Sequence, residues 1–161
     1  MAVDPLTKLL DRTSLRILDL LVEDARLSSR QVGREVNLSA PAAAERIRRL
    51  EHLDVITGYS AQLNAENLGY DVLAFVLLAT SKTVIGEIAR SIPQVLECHR
   101  VTGRDSYILK VTAKSVDDLE ALLDRLQPHG SLTTFVVLSS PVSTRQVVAS
   151  IDDVNGSSSG K

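Results

Sequence analysis

The chain has 161 residues, a hydrophobic content of 44% and a formal net charge of −2, which fits one domain or two small ones and excludes a polybasic nucleic-acid binder. Its single cysteine, Cys98, excludes an intrachain disulfide framework and a cysteine-rich zinc site. No apolar run reaches the roughly 18 residues of a membrane span, and charged residues interrupt the N-terminus where a signal peptide needs an apolar run. We therefore expect a cytoplasmic protein without membrane association.

The first third of the chain predicts three helices, because apolar residues recur there at helical spacing. The expected helices are Thr13–Asp24, Ser29–Val36 and about Ala40–Leu53, the second of them capped by Ser28. Residues 55–62 read as a short strand after the third helix. Three helices ending in a strand predict a winged helix.

The break between the second and third helices has the sequence Asn37-Leu38-Ser39. Asn37 suits the left-handed position that ends a helix, and Ser39 suits the N-cap of the next one. Pro41 would then lie in the first helical turn, where its missing N–H does no harm. This punctuation predicts a helix-turn-helix whose second helix enters the major groove, so double-stranded DNA is the expected partner.

Charge supports the same interpretation locally, because residues 26–52 hold six arginines against three glutamates. The start of the recognition helix offers small side chains that suit thymine methyl groups, whereas phosphates would be met by arginines on both helices. The predicted DNA-contacting residues are Arg30, Arg34, Ser39, Ala40, Pro41, Ala42, Glu45, Arg48 and Arg49. The alternative is a solvated face with i,i+4 pairs such as Glu45–Arg49.

The second half alternates strands and helices in the order β-α-β-β-α-β, which is the ferredoxin-like arrangement. The predicted elements are strand Val72–Thr80, helix Thr83–Ser91, strands Val95–Thr102 and Ser106–Ala113, a helix capped by Ser115, and strand Leu132–Leu138. The expected domains are 1–62 for DNA binding, 63–70 as linker, 71–148 for effector binding and oligomerisation, and 149–161 as a disordered tail. The fold class is therefore α+β.

The first strand of this half, VLAFVLLAT, is apolar on both faces. A sheet with helices on one side should leave its other side polar. The pattern indicates either a loosely patterned central strand or a sheet face that a second subunit covers. We favour the second interpretation, which predicts a homodimer.

Several stretches in this order carry a family resemblance: Leu10-Asp11, Asp24-Ala25-Arg26, Asn37-Leu38-Ser39, residues 45–51, residues 55–59, Glu97-Cys98-His99, residues 101–103 and residues 107–110. With them the chain resembles the Lrp/AsnC (feast/famine) regulators over roughly residues 8–148. The resemblance implies a winged helix-turn-helix joined to a ligand-sensing RAM domain, with Arg46 bracing the recognition helix. It also implies dimers that form through their sheets and often associate into higher oligomers, and amino-acid effectors bound between subunits.

The effector is expected near the loop after the second sensor strand, where the family often has Gly-Asp-x-Asp-Tyr and this chain has residues 103–107, GRDSY. Gly103 would let backbone N–H groups approach a carboxylate, Arg104 would clamp it, and Asp105 would take an ammonium group. The predicted effector-binding residues are His99, Gly103, Arg104, Asp105, Ser106, Thr133 and Thr134. The alternative is an ordinary β-turn.

These features together predict a DNA-binding transcriptional regulator that responds to a small effector, most simply an amino acid. No cofactor or metal is expected, since His52, His99 and His129 lack a metal-ligand spacing and no catalytic motif occurs. Two alternatives remain: an enzyme like the sirohaem decarboxylases that resemble this family, and an architectural DNA-binding protein without an effector.

Overall fold

The computed structural model describes residues 10–142. The chain divides between Ala61 and Gln62 into two compact units, which are described separately. The expected tail at 149–161 lies outside the described residues. No helix within residues 10–142 is long and apolar enough to cross a membrane.

The first unit contains three helices, as predicted: α1 (Arg12–Glu23), α2 (Ser29–Glu35) and α3 (Ala40–His52). Each begins at a side chain that accepts a hydrogen bond from a backbone N–H in the first turn, and these caps are Asp11, Ser28 and Ser39. At Ser28 the bonding is reciprocal, because the Gln31 side chain accepts from the Ser28 N–H at 2.9 Å. Local capping therefore sets where each helix begins.

The turn between α2 and α3 has the conformation that the sequence predicts. Asn37 adopts a left-handed φ of 56°, and the Leu38 N–H donates to the Gly33 carbonyl at 2.8 Å. Gly33 is fully packed, since a Cβ atom there would lie 2.7 Å from the Leu38 carbonyl oxygen. The helices close on one core made of Ile17, Leu20, Leu21, Val32, Ala43 and Leu50. This arrangement is a helix-turn-helix.

The strand predicted at 55–62, and with it the wing, is wrong for the described chain: residues 53–71 contain no strand. After the left-handed Asp54, the N–H groups of Val55 and Ile56 both donate to the Leu50 carbonyl. The two side chains pack against the helical core instead of entering a ladder. A strand needs a neighbour to pair with, and no other strand lies between residues 10 and 61.

The second unit is a four-stranded antiparallel sheet with two helices on one side. Its elements are β1 (Val72–Ala79), α4 (Ile85–Arg90), β2 (Val95–Arg100), β3 (Tyr107–Ala113), α5 (Val116–Leu126) and β4 (Ser131–Val136). The strand order β2-β3-β1-β4 confirms the ferredoxin-like prediction and the α+β class. Compared with the predicted bounds, α4 begins two residues later and β2 and β4 are shorter.

The two faces of this sheet differ sharply in burial. Alternate residues of β1 (Ala74, Val76 and Leu78) are fully buried under α4 and α5. The intervening residues of β1 (Leu73, Phe75, Leu77 and Ala79) lie on what we call the open face, where Phe75 pairs with Lys110 of β3 and with Phe135 of β4. Phe75 and Phe135 keep 38% and 54% of their surface. The described unit alone thus leaves an apolar sheet face uncovered, as the sequence predicted.

Candidate functional site

The outward surface of α3 carries the residues predicted to meet DNA. Ala43 and Leu50 point inward and are completely buried, which leaves Pro41, Glu45 and Arg48 exposed along the opposite side. At the start of the helix, Ser39 caps through its hydroxyl, which accepts from the Ala42 N–H at 3.3 Å. One accessible surface of the helix therefore carries a small residue at its N-terminal end and arginines further along. Its exposed residues are Pro41, Glu45, Arg48 and Arg49.

The arginines on this surface differ in their partners. Arg48 pairs with Glu45 at 2.9 Å, at an i,i+3 spacing, with both side chains more than 60% exposed. The Glu45–Arg49 pair that the alternative interpretation gave as an example does not form, because Glu45 pairs with Arg48. Arg49 makes no ion pair with any residue between 10 and 142. An exposed pair of this kind contributes little to stability, so Arg48 can exchange its partner for a phosphate at small cost.

Arg30 and Arg34 lie on α2, the helix that precedes the recognition helix. Both side chains are exposed, and neither forms an ion pair within the described part of the chain. They stand one helical turn apart, where like charges repel. A nearby DNA phosphate would relieve that repulsion, so both arginines are suited to contact the DNA backbone.

Arg46 differs from the neighbouring arginines because its side chain bonds to residues at the start of α1. Its Nη1 atom lies 2.7 and 2.8 Å from the carboxylate oxygens of Asp11 and donates to the Ser14 hydroxyl at 2.9 Å. Asp11 also accepts from the Ser14 N–H as the N-cap of α1. One carboxylate thus caps α1 and fixes the orientation of the recognition helix.

The pKa of Asp11 reflects this double use. Burial by itself raises that pKa, but the hydrogen bonds from the Ser14 N–H and the Arg46 guanidinium outweigh burial, so the pKa falls below its ordinary value of 3.8. A lowered pKa in the folded state stabilises the protein at pH values above 3.8, and this stabilisation is lost as the pH falls through the folded-state pKa.

The exchange Asp11→Asn tests this contribution, since asparagine keeps a capping oxygen but carries no charge. At neutral pH the wild type should melt above the variant. The difference should shrink as the pH falls below 3.8, because wild-type Asp11 then becomes neutral as well. Thermal melts followed by circular dichroism over this pH range would measure it, and a constant difference would contradict the role of the charge.

The chain that follows α3 is attached to it by one further side chain. The Tyr59 hydroxyl donates to the Glu51 carboxylate at 2.8 Å. Burial and the neighbouring Glu51 raise the pKa of Tyr59 to about 12. Tyr59 was expected within a strand, and the structure instead gives it a contact with the recognition helix.

The candidate effector loop, residues 103–106, connects β2 to β3. Gly103 has a φ of 115°, a conformation that favours glycine, and Arg104 is exposed. Ser106 is half-buried and already engaged: its hydroxyl donates to the Thr80 carbonyl at 2.6 Å, and its N–H donates to the Leu78 carbonyl at 3.0 Å. Ser106 therefore holds the loop against the end of β1, which leaves Arg104 as the accessible polar side chain of the loop.

The other predicted effector residues are not brought together within one chain. His99 and Thr133 lie on the open face, at opposite ends of a row that crosses all four strands through Ile108 and Leu77. Three strand spacings separate them, or about 14 Å. Thr134 points to the other face, since it pairs with the buried Val76. His99 contacts Glu97 at 3.2 Å instead of the loop.

The sequence did not reveal the contact between the end of β1 and the turn before β4, which also positions this loop. The Thr80 hydroxyl donates to the His129 carbonyl at 2.6 Å, and Lys82 Nζ donates to the Pro128 carbonyl at 2.9 Å. The end of β1 is thereby held to the turn before β4 as well as to Ser106. Partners 46 to 49 residues apart leave no local pattern, so this contact carried no signal that the sequence could reveal.

Comparison with known proteins agrees with this two-part organisation. A family model described as the AsnC-type helix-turn-helix domain matches residues 10–51, and a model described as the Lrp/AsnC ligand binding domain matches residues 73–147. The HTH-type transcriptional regulator YezC of Bacillus subtilis is 46% identical over 132 residues, which cover 81% of this chain and 95% of the relative. The regulator LrpC of the same organism is 33% identical over 134 residues, which cover 81% and 92%.

Solved structures are similar over nearly their whole length. The structure of B. subtilis LrpC matches with a TM-score of 0.79 at 29% identity, and covers 84% of this chain and 99% of its own. A feast or famine regulatory protein of M. tuberculosis complexed with L-methionine matches with a TM-score of 0.82 at 29% identity, and covers 87% and 99%. A regulator from Neisseria meningitidis, also in complex with L-methionine, matches with a TM-score of 0.80 at 26% identity, covering 86% and 96%.

Proposed function

The chain belongs to the Lrp/AsnC family of transcriptional regulators, and from this premise we propose how its own residues do the work of a ligand-responsive DNA-binding regulator. The carrying observation is the exposed, arginine-bearing surface of α3, which is fixed to α1 through Arg46 and Asp11. A rigid recognition helix can present the same side chains to successive base pairs.

In the proposed complex, α3 enters the major groove with its N-terminal end toward the bases. Ser39, Ala40, Pro41 and Ala42 are small enough to let the helix approach closely and contact thymine methyl groups. Glu45 would accept a hydrogen bond from a base. Phosphates would be contacted by the four arginines Arg30, Arg34, Arg48 and Arg49. Because the side chains facing the bases are small and several arginines contact the DNA backbone, we expect modest sequence specificity combined with readout of DNA shape.

The effector is proposed to be an amino acid, and the support comes from the two relatives that hold L-methionine. In this chain Arg104 is the exposed cation beside Gly103, so it is the residue to clamp a carboxylate in a bidentate fashion. Asp105, which is half-buried, is the acidic group to receive the ammonium. Thr133 and His99 would complete such a site only together with residues of a neighbouring subunit, because the two lie far apart within a single chain.

We propose that a second copy of the chain covers the open face. Phe75, Leu77, Ile108 and Phe135 form its apolar centre, with Lys110 and Glu97 paired at 2.9 Å beside them. Burying such a face stabilises by about 25 cal/mol for each Å² of apolar surface removed from water. A homodimer, and higher oligomers built from it, would bring two helix-turn-helix units to one DNA site, as a two-fold symmetric operator requires.

The proposal is that of a cytoplasmic regulator without enzymatic activity. The named relatives are transcriptional regulators, and the polar groups described above serve DNA contact, helix bracing or loop fixation. Among residues 10–142 no three histidine, cysteine, aspartate or glutamate side chains cluster as metal ligands would.

The test is a gel shift on the DNA upstream of the protein's own gene, run with and without each amino acid that raises the melting temperature. A ligand that binds only the folded protein raises that temperature, so a thermal-shift screen of the twenty amino acids selects the candidates. We expect a retarded complex whose affinity or stoichiometry changes with the selected amino acid, and light scattering that gives at least a dimer. Binding no tighter than to unrelated DNA, or a monomer at micromolar concentration, would overturn the proposal.

A further inference from the structure

A groove of about 420 Å³ lies between α4 and the edge strand β2. Its lining consists of Gly86, Ala89, Arg90, Val95, Leu96, Glu97, Cys98, Arg100 and Tyr107. Cys98 and Val95 pair with the buried Leu109 and Val111, which places the groove on the helix-covered side of the sheet. It is therefore on the opposite side of the sheet from the apolar centre of the open face, although Glu97 at its rim pairs with Lys110 of that face. Its lining includes none of residues 103–106.

The groove carries two cations with no assigned role. Arg90 on α4 and Arg100 on β2 are exposed and make no ion pair with any residue of the described range. The single carboxylate of the lining is Glu97, and it is already engaged by Lys110 at 2.9 Å and by His99 at 3.2 Å. The pKa of Glu97 is lowered by those same two partners. The groove thus offers positive charge without an available acidic partner.

The remaining walls are apolar. Ala89, Val95 and Leu96 supply hydrocarbon, and Tyr107 contributes a ring that is 7% exposed. Burial raises the pKa of the Cys98 thiol, although the charge of Arg90 acts in the opposite direction, so this side chain adds a neutral wall. Gly86 leaves open space where a side chain would stand, because an added Cβ meets no atom within 4 Å.

We propose that this groove binds a small organic carboxylate with a short apolar group and no ammonium, held by Arg90 and Arg100. Guanidinium groups recognise carboxylates through paired, charge-assisted hydrogen bonds, and the apolar walls would receive the hydrocarbon part. An ammonium group would meet two arginines and no free carboxylate, which disfavours amino acids here. The chain would then have a second ligand site, distinct from the loop at Gly103.

Isothermal titration calorimetry on the full chain tests the proposal with a matched set of probes. α-Ketoisocaproate and leucine share a carbon skeleton and differ in their keto and ammonium groups, while inorganic phosphate tests for plain anion binding. We expect saturable binding of α-ketoisocaproate and at least tenfold weaker binding of phosphate. Equal binding of phosphate would overturn the proposal by reducing the groove to a positive patch, and absence of α-ketoisocaproate binding would overturn it directly.

Three variants locate the binding. Gly86→Leu should narrow the groove and abolish α-ketoisocaproate binding, since its Cβ atom would meet no atom within 4 Å. Arg90→Gln and Arg100→Gln should each weaken the binding at least tenfold. Arg125→Gln is the matched control, since Arg125 is an exposed arginine on α5 outside the groove. Circular dichroism would establish that Gly86→Leu is folded, and the arginine variants test the site independently of that substitution.

A further variant separates this groove from the candidate effector loop. Arg104→Ala should leave α-ketoisocaproate binding unchanged, since Arg104 does not line the groove. Loss of binding in Arg104→Ala with retention in Gly86→Leu would overturn the proposal and assign the ligand to the loop. DNA binding by the Gly86→Leu variant in the gel shift reports on the proposed regulator function separately, so failure of one proposal is distinguishable from failure of the other.

Discussion

Replacing Gly130 by alanine should destabilise the second unit by about 2–3 kcal/mol, the upper part of the range of about 1–3 kcal/mol expected when an atom is forced into a filled space. A Cβ atom at this position would lie 2.3 Å from the Ala79 carbonyl oxygen, 2.8 Å from a Leu78 methyl group and 2.9 Å from the Thr80 Cβ atom. All three neighbours belong to the end of β1, and one of them is backbone. The substitution therefore requires a whole strand end to move.

The surroundings oppose that movement. The Thr80 hydroxyl is held by the His129 carbonyl at 2.6 Å, one residue before the glycine, and the Thr80 carbonyl accepts from Ser106 at 2.6 Å. Leu78 is completely buried in the core. Relief of the clash at Gly130 would break one of these contacts, so the destabilisation should extend to the candidate effector loop through Ser106.

The matched control is Gly86→Ala, because Gly86 lies within α4 and an added Cβ meets no atom within 4 Å. This variant should be at least as stable as the wild type, gaining up to about 0.5 kcal/mol, since alanine loses less conformational freedom than glycine and Gly86 lies in the first turn of the helix. Denaturant titration of both variants measures the two free energies of unfolding. A Gly130→Ala protein as stable as Gly86→Ala would contradict the close approach of Gly130 to β1.

The parts of the fold that the sequence predicts are those that depend on residues only a few positions apart. Ser28 and Ser39 act through N–H groups three residues ahead, and Asn37 ends its helix by its own left-handed conformation. Such signals need no knowledge of the rest of the chain. The apolar residues on both sides of β1 likewise predicted an apolar face that the unit itself does not cover, because side chains along a strand point to opposite sides in turn.

The failures come from partners that are distant in sequence. Residues 55–62 have the composition of a strand, but a strand needs a neighbouring strand to pair with. The N–H groups of Val55 and Ile56 donate instead to the Leu50 carbonyl at the end of α3. The resemblance implied that Arg46 braces the helix, whereas its partners Asp11 and Ser14, 35 and 32 residues away, emerged only from the structure. The candidate effector residues follow from the resemblance, which implies a site between subunits, and the sheet register places His99 and Thr133 at opposite ends of a row of four strands. Local patterns thus predicted elements, while the geometry between elements decided the site.

Removing Arg49 should weaken DNA binding more than removing Arg48, because the two side chains differ in their ground-state partners. Arg48 is neutralised by Glu45 at 2.9 Å and must leave that pair to contact a phosphate, whereas Arg49 has no ion pair within the described chain. A hydrogen bond to a charged group contributes about 1.5 kcal/mol, so Arg49→Ala should lose roughly tenfold in affinity for each DNA-binding unit. Arg48→Ala should lose less.

The same contacts determine the salt dependence, since each neutralised phosphate releases about 0.9 of a counterion. The slope of log K against log salt should therefore fall by about 1 for each arginine removed from each bound unit. Arg125→Ala on α5 controls for the general loss of one positive charge. Fluorescence anisotropy over a range of salt concentrations measures both quantities. If Arg49→Ala kept the wild-type affinity and slope, α3 would have to meet DNA through another surface, and the bracing of that helix by Arg46 would then serve stability alone.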